Sequence, residues 1–357
     1  MTESETVWSA QDTTPSAIEE ALRDLLKQRY EAGQHASPAR VLNLVVVADD
    51  AWRGEIQNRL DAVGRYHASR TILCAVDEGR TEIDAMATVT ADEDEIAAGG
   101  LAVAREEVIV DVGPEHLSHL DRVVDPLLVT DLATLVWSPH GHEEAVDSLL
   151  RLAQIVLIDS VSELDAREAI AHAVALTERA YVVDLAWLRS TPWRERVAAT
   201  FDPPRWRPEL ERISAVTVRF QPSSAVAGVL LLGWLARRLG WEPAPLGEPD
   251  AHGRRTGTAD SAAGEVALTL EPDDTMPIPG LAGVTVETQS GLAISLDRGP
   301  GGLSAWRRTP DGHESRWTVT GASRGEAGIL GEGIRQALLR DKGYWQALGA
   351  AEAMVCR

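Results

Sequence analysis

Cysteine is scarce in this chain of 357 residues, which contains only Cys74 and Cys356. Two isolated thiols do not form a CxxC pair and cannot supply the thiolate ligands of a structural zinc site. Cys74 lies in the apolar run of residues 71–76, where we expect a buried and unreactive thiol. Low cysteine usage is typical of a reducing compartment, so the sequence predicts a cytoplasmic protein.

Long hydrophobic runs are also missing. The longest, residues 225–236, is interrupted by Gly228 and Gly233 and is shorter than the roughly 20 residues that a membrane-spanning helix needs. Residues 1–11 are polar and acidic, without the basic and apolar regions of a signal peptide. We therefore expect a soluble protein without a secretion signal.

Basic residues are few, since 34 Lys and Arg face 55 Asp and Glu, for a formal net charge of −21. An electric field of this sign repels phosphate backbones and anionic lipid headgroups. We therefore expect neither nucleic acid nor a membrane surface as a main partner, although a local basic cluster could still bind a small anion.

The sequence signatures of cofactor and catalytic sites are absent. Where a dinucleotide-binding fold has GxGxxG after its first strand, residues 48–51 read ADDA. No P-loop, GxSxG, HExxH or Cys–His nucleophile pattern is present. His140 and His142 beside Glu143 could bind a metal ion, but their polar loop setting favours no metal site. The sequence predicts no catalytic residue, no cofactor and no bound metal.

The pattern that is present predicts an α/β fold. Residues 40–48 and 71–76 are continuous apolar runs, typical of strands buried on both faces, and residues 52–63 between them are helical. Such a βαβ unit implies a parallel strand pair. Further strands are predicted at residues 83–90, 107–112, 132–137 and 154–159, and a helix at residues 116–124. We expect residues 1–205 to form a mixed, mainly parallel sheet flanked by helices.

A break at Pro203, Pro204 and Pro208 introduces a smaller α+β domain, residues 206–357. A chain of this length exceeds the roughly 250–300 residues at which single cores stop growing, so two domains are expected. The sequence predicts a strand at 213–220, a helix at 224–239, and a hairpin that pairs 304–308 with 316–320. Residues 243–263 are rich in Pro, Gly, Asp and Ala, and we expect a mobile loop there.

The most unusual segment is residues 183–206, which combines tryptophan and arginine in an otherwise acidic chain. Thr191 and Pro192 predict a helix start, so the segment divides into two short helices. Trp and Arg are typical of protein interfaces, whereas a stripe such as Trp193–Val197–Phe201 more often packs inward. Asp184 could cap the first helix or pair with a buried arginine. The residue types alone leave these alternatives open.

Several motifs follow each other in the order and spacing of a known family. They resemble OpcA, the glucose-6-phosphate dehydrogenase assembly protein of actinobacteria and cyanobacteria. The similarity rests on RVLNLVVV (40–47), HASRTI (67–72), DPLLVTDLATLVWSP (125–139), VDLAWLRSTPWR (183–194) and LLGWLARRLGW (231–241). Departures such as Ala133 in place of a family proline indicate a divergent member.

The resemblance implies a non-catalytic partner, an assembly or allosteric activator of glucose-6-phosphate dehydrogenase that supports the oxidative pentose phosphate pathway. Five residues fall on the family's characteristic segment and are candidates for partner binding. They are Asp184, Trp187, Arg189, Trp193 and Arg194.

Two other functions remain open. One is a metabolite-binding α/β protein or enzyme, which would bind a nucleotide or sugar phosphate in the crevice at the carboxyl ends of the first-domain strands. Its candidate anion contacts are Arg40, His67, Ser69 and Arg70. The other is a passive scaffold, which would bind the dehydrogenase without altering its kinetics.

Overall fold

The computed structural model describes residues 3–31, 40–64, 69–92, 105–163, 165–299, 301–320, 325–340 and 342–356. The chain forms two compact units. Unit 1 comprises Met1–Ile158, Arg179–Val182 and Glu326–Leu338, and unit 2 comprises Asp159–Glu178, Val183–Gly325 and Leu339–Arg357. Residues 183–205 thus pack within unit 2. The predicted division into domains of residues 1–205 and 206–357 stays a prediction.

The described residues contain both element types in alternation. The helices are α1 (Pro15–Glu31), α2 (Arg53–Gly64), α3 (Leu120–Val124), α4 (Glu143–Leu149), α5 (Ala166–Thr177), α6 (Leu185–Arg189), α7 (Thr191–Phe201), α8 (Ala225–Leu239), α9 (Gly325–Leu339) and α10 (Gly343–Val355). The strands begin with β1 (Glu3–Ala10), β2 (Leu42–Asp49), β3 (Ser69–Val76), β4 (Asp84–Asp92), β5 (Arg105–Val112), β6 (Thr134–Trp137), β7 (Ile155–Ile158) and β8 (Tyr181–Asp184). They continue with β9 (Ile213–Phe220), β10 (Glu242–Pro243), β11 (Arg255–Ser261), β12 (Gly264–Pro272), β13 (Leu281–Thr288), β14 (Ala293–Gly299), β15 (Gly302–Arg308) and β16 (Glu314–Thr320).

The first sheet confirms the predicted fold class. Its strand order is β1-β4-β5-β3-β2-β6-β7-β8, and the strands β5, β3, β2, β6 and β7 are parallel. β4 and β1 join antiparallel at one edge. Helix α1 buries Ile18, Leu22 and Leu25 in the core of this unit. The carboxyl ends of β2 and β6 are adjacent where the strand order reverses.

The second sheet is mostly antiparallel, with the order β10-β11-β12-β9-β13-β14-β15-β16. Only β12 and β9 pair in parallel among its described strand pairs. Helix α8 packs on β9 and β12, and α5 and α10 pack against α8. α8 ends as predicted, because Gly240 follows it in the left-handed conformation, with φ of 70°. The hairpin of β15 and β16 is also confirmed.

Two local predictions were wrong, and one strand was not predicted. Residues 255–261, predicted as part of a loop, form β11, which pairs with β12 along its whole length. Residues 116–124, predicted as one helix, form a 3₁₀ helix that ends at His119 and then the short α3. β1 was not predicted, because its polar residues 3–5 conceal an edge strand that pairs with β4.

No helix in the described part of the chain is both long enough and apolar enough to span a bilayer. Cys74 is fully buried, as expected, and burial raises the pKa of its thiol to about 12. Cys74 and Cys356 are both free thiols.

Candidate functional site

Asp184 caps helix α6 from a fully buried position. Its Oδ1 accepts hydrogen bonds from Ala186 N at 2.9 Å and Ser160 N at 3.2 Å, and Oδ2 accepts from Ser160 Oγ at 2.6 Å. Burial raises the pKa of Asp184 to about 6, although these hydrogen bonds oppose the shift. Of the two alternatives left open by the sequence, the capping role is therefore the one observed.

Trp187 and Arg194 form a stacked pair that joins α6 to α7. The guanidinium carbon of Arg194 lies 3.3 Å from the centroid of the Trp187 ring, close enough for a cation–π interaction. The same guanidinium donates to Trp187 O at 2.8 Å, Ser190 Oγ at 2.7 Å and Thr191 Oγ1 at 2.9 Å. These contacts fix the angle between the two helices, because Arg194 bonds both sides of the turn that separates them.

Arg189 makes a bidentate ion pair at the end of α6. Its Nη1 and Nη2 atoms each lie 2.7 Å from a carboxylate oxygen of Asp159. About a quarter of each side chain is exposed, at 29% for Arg189 and 25% for Asp159. Parallel hydrogen bonds of this kind hold a guanidinium in one orientation. Arg189 is thus presented at the surface in a fixed geometry.

The apolar stripe of α7 packs inward. Trp193, Val197 and Phe201 are all buried, and so is Trp187 on α6. Asp184, Trp187 and Trp193 therefore shape the segment from within, while Arg189 and Arg194 are partly exposed. The participation of these five residues in partner binding stays a prediction.

An apolar groove of about 570 Å³ lies beside α7 in unit 2. Nine apolar side chains line it: Val197, Ala198, Phe201, Leu210, Ile213, Trp234, Leu235, Leu239 and Val286. Arg194, Arg207 and Arg238 stand around it with Glu195 and Asp202. The groove thus joins two segments that carried the family resemblance, residues 183–194 and 231–241, in one surface.

The groove belongs to a cationic region of an acidic chain. Residues 189–212 contain six arginines and four acidic residues, and Arg237 and Arg238 at the end of α8 add two further positive charges. Arg207 donates to Asp202 O at 2.8 Å. For Arg238 no hydrogen bond or ion pair occurs within the described ranges, so its charge is available to a partner.

The proposed anion contacts lie at the amino ends of the parallel strands in the first sheet, whereas they were expected at the carboxyl ends. Arg40 precedes β2, and Ser69 and Arg70 begin β3, so all three are at the amino ends of parallel strands. Arg40 and Arg70 share the buried carboxylate of Glu106, with distances of 2.8 Å and 2.6 Å from their Nε atoms. The expected place in the carboxyl-end crevice was therefore wrong. His67 lies outside the described residues.

His140 and His142 lie instead at the carboxyl ends of these strands, next to Asp49 at the end of β2. His140 Nδ1 accepts a hydrogen bond from Asp49 N at 3.0 Å, and His142 Nε2 lies 2.9 Å from Asp49 Oδ1. Burial lowers the pKa of His140, against the opposing effect of Asp49. Because Nδ1 of His140 accepts a hydrogen bond from the backbone of Asp49, the last residue of β2, this cluster ties the loop after β6 to the end of β2.

Two family models match the chain. The model described as the glucose-6-phosphate dehydrogenase subunit N-terminal domain matches residues 60–175, and that for the C-terminal domain of the same subunit matches residues 180–348. The chain belongs to the OpcA family. Membership in the OpcA family confirms the resemblance that the order of the motifs indicated.

Curated relatives in the OpcA family are named OxPP cycle protein OpcA. The one from Synechococcus elongatus is 24% identical over 227 residues, which are 61% of this chain and 48% of the relative. The one from Synechocystis is 28% identical over 133 residues, which are 36% of this chain and 28% of the relative. This chain therefore spans about half the length, or less, of the curated relatives it matches.

Among solved structures, the chain is similar to an oxidoreductase domain protein from Kribbella flavida. The sequence identity is 12%, the TM-score is 0.48, and the match covers 88% of this chain and 95% of that one. A likeness at this level has no bearing on function.

Sequence reasoning missed the groove and the exposed arginine that borders it. Arg238 was visible within LLGWLARRLGW, where two arginines follow an apolar run at the end of a helix. What the sequence could not supply is that Leu210 and Ile213, which follow the proline-rich break, lie on the same groove as Leu235 and Leu239.

Proposed function

We propose that this chain is a non-catalytic subunit that binds glucose-6-phosphate dehydrogenase and favours its active assembly, in support of the oxidative pentose phosphate pathway. The observation that carries the proposal is the match of both OpcA family models, each described as a domain of a glucose-6-phosphate dehydrogenase subunit. The names of the curated relatives support the same pathway. The two free thiols are in keeping with a cytoplasmic location.

The proposed contact surface is the apolar groove and its arginines. Its lining is apolar enough to hold side chains of a partner, and arginine is enriched at the centres of protein interfaces. A partner segment with apolar side chains and carboxylates would complement it. In this arrangement Asp184, Trp187 and Trp193 position α7, whereas Arg189 and Arg194 are the members of the family segment that can reach the partner.

Activation would follow from a difference in affinity. A subunit shifts the dehydrogenase towards its active form only if it binds that form more tightly than the inactive one. The expected effect is therefore a change in the saturation curve for glucose 6-phosphate, and complex formation alone would not establish it.

The first test combines binding and kinetics. The full chain is mixed with the dehydrogenase of the same organism, and co-elution and glucose 6-phosphate saturation are measured. We expect a stable complex and a shifted saturation curve. A complex with unchanged kinetics would indicate a passive scaffold, and the absence of any complex at micromolar concentration would reject the proposal.

We expect Arg238→Glu to weaken the complex by roughly tenfold or more, because charge reversal places a carboxylate against an acidic partner segment. The matched control is Arg237→Glu, which makes the same change at the neighbouring exposed position outside the groove lining. Affinities are measured by calorimetry at one salt concentration. Equal weakening by both variants would show that net charge, and not the groove, controls binding.

A further inference from the structure

A second cavity, of about 300 Å³, lies on the other side of α7 within unit 2. One wall is α7, with Arg196, Ala199 and Thr200. The opposite wall is the outer part of the second sheet, where Arg307 of β15 pairs with Ser315 of β16 and Ala305 pairs with Trp317. Since alternate residues share a face, Arg307, Ser315 and Trp317 all line the cavity.

The charges in this cavity are unbalanced. Arg196 and Arg307 both line it, and no acidic side chain does so among the residues that the structure describes. The Nε atoms of both arginines are buried, and neither of these two Nε atoms has a hydrogen-bond partner in the described chain. In a protein with 55 acidic residues, two half-buried arginines that line one cavity without a carboxylate are unexpected, because charges withdrawn from water are normally paired.

The contacts of Arg307 with the rest of the protein explain the position of its side chain but do not neutralise its charge. Its guanidinium lies 5.3 Å from the Trp206 ring centroid and 5.1 Å from that of Trp317, and its Nη2 is 3.5 Å from Thr200 O. Burial, with a smaller contribution from the positive charge of Arg205, lowers the pKa of Arg307. The two indoles hold the guanidinium in place, but they leave its charge and that of Arg196 without an anion.

We propose that this cavity binds the phosphate group of a small metabolite between Arg196 and Arg307. Two guanidinium groups offer the planar donor pairs that match phosphate oxygens. Ser315 adds a hydroxyl donor, and Trp317 adds an apolar wall for the rest of the molecule. The volume is at the lower end of the range for small-molecule sites, which suits a monophosphate of sugar size. The proposal is independent of dehydrogenase binding.

The test is calorimetric titration of the full chain with inorganic phosphate, a hexose monophosphate and the uncharged hexose. We expect both phosphates to bind and the uncharged hexose not to bind. Tighter binding of the hexose monophosphate would assign the site to a phosphorylated metabolite, and equal binding would assign it to the phosphate group alone. Arg196→Gln and Arg307→Gln should each weaken binding by roughly tenfold or more, because each removes a charged donor pair.

The control is Arg316→Gln, the same substitution on β16 at a position that faces the other side of the sheet. It should leave phosphate binding unchanged. If Arg307→Gln lowers the melting temperature strongly, Arg196→Gln on the surface of α7 decides the outcome. The proposal is overturned if no phosphate compound binds at millimolar concentration, or if neither Arg196→Gln nor Arg307→Gln alters the affinity.

Discussion

Replacing Asp184 by alanine is expected to destabilise the protein by about 3 kcal/mol, because three buried donors lose their acceptor at once. The donors are the N–H of Ala186 and both the N–H and O–H of Ser160. Loss of the helix cap also loosens α6, which carries Trp187 and Arg189. The measurement is urea unfolding of the variant and the unchanged protein at the same pH.

Asp184→Asn is the matched variant, since it keeps an acceptor oxygen but cannot ionise. The pKa of Asp184 is about 6 in the folded chain, against about 3.9 for an unperturbed aspartate. The folded state binds the proton of the Asp184 carboxyl more tightly than the unfolded state does. Proton binding therefore stabilises the fold fully below the pKa of Asp184 in the unfolded chain, and this stabilisation is lost as the pH rises through the pKa in the folded chain. The expected loss is about 3 kcal/mol.

The stability of the unchanged protein relative to Asp184→Asn should therefore fall between about pH 4 and pH 7. A difference in unfolding free energy that stays constant over this range would contradict the buried, proton-holding role of Asp184. The comparison cancels the other titrating groups, because both proteins contain them.

Replacing Gly233 by alanine is expected to cost about 3 kcal/mol, because there is no space for a side chain between α8 and α10. A β-carbon at position 233 would lie 2.4 Å from Ala347 O and 3.0 Å from Ala351 N. Both are backbone atoms of α10, so relief requires the two helices to move apart. That movement would also displace Tyr344, whose ring lies 5.9 Å from the Trp187 ring.

Gly349→Ala is the control for this substitution, since it is made within α10 but its new β-carbon would meet no atom within 4 Å beyond its chain neighbours and the nearby backbone of its own helix. Alanine there should raise stability by about 0.5–1 kcal/mol, because it restricts the unfolded chain and favours the helix. Melting temperatures of both variants test the pair. Similar melting temperatures for the two variants would show that the approach of α8 to α10 is not close.

Much of the fold could be predicted because its signals are local. The apolar run ending at Gly240 defines α8, and the Pro310–Gly312 turn defines the β15–β16 hairpin. The edge strand β1 could not be predicted, because its pairing with β4 depends on residues far along the chain. The same limit hid β11, whose Gly- and Asp-containing sequence is typical of a loop and which becomes a strand only beside β12.

The sequence identified residues 183–206 as a candidate site, but it could not show which residues from other segments lie beside them in the folded chain. Helical spacing placed Trp193, Val197 and Phe201 on one face of α7, but the residue types left open whether that face packs inward or binds a partner. The ion pair of Arg189 with Asp159 joins residues 30 positions apart, and no pattern in the sequence relates them. Arg307 shares a face of β15 with Leu303 and Ala305, and no pattern in the sequence relates it to Arg196, which lines the same cavity.

Unit 1 is assembled from three stretches of chain, and the last of them, Glu326–Leu338, is synthesised after nearly all of unit 2. The ribosome must therefore synthesise most of the chain before all three segments of unit 1 are present. Completing it requires closing a long loop, and contacts of high sequence separation form slowly. A truncation before residue 326 would leave both units incomplete, so the boundary between them is not a place where the gene could be cut into two self-sufficient halves.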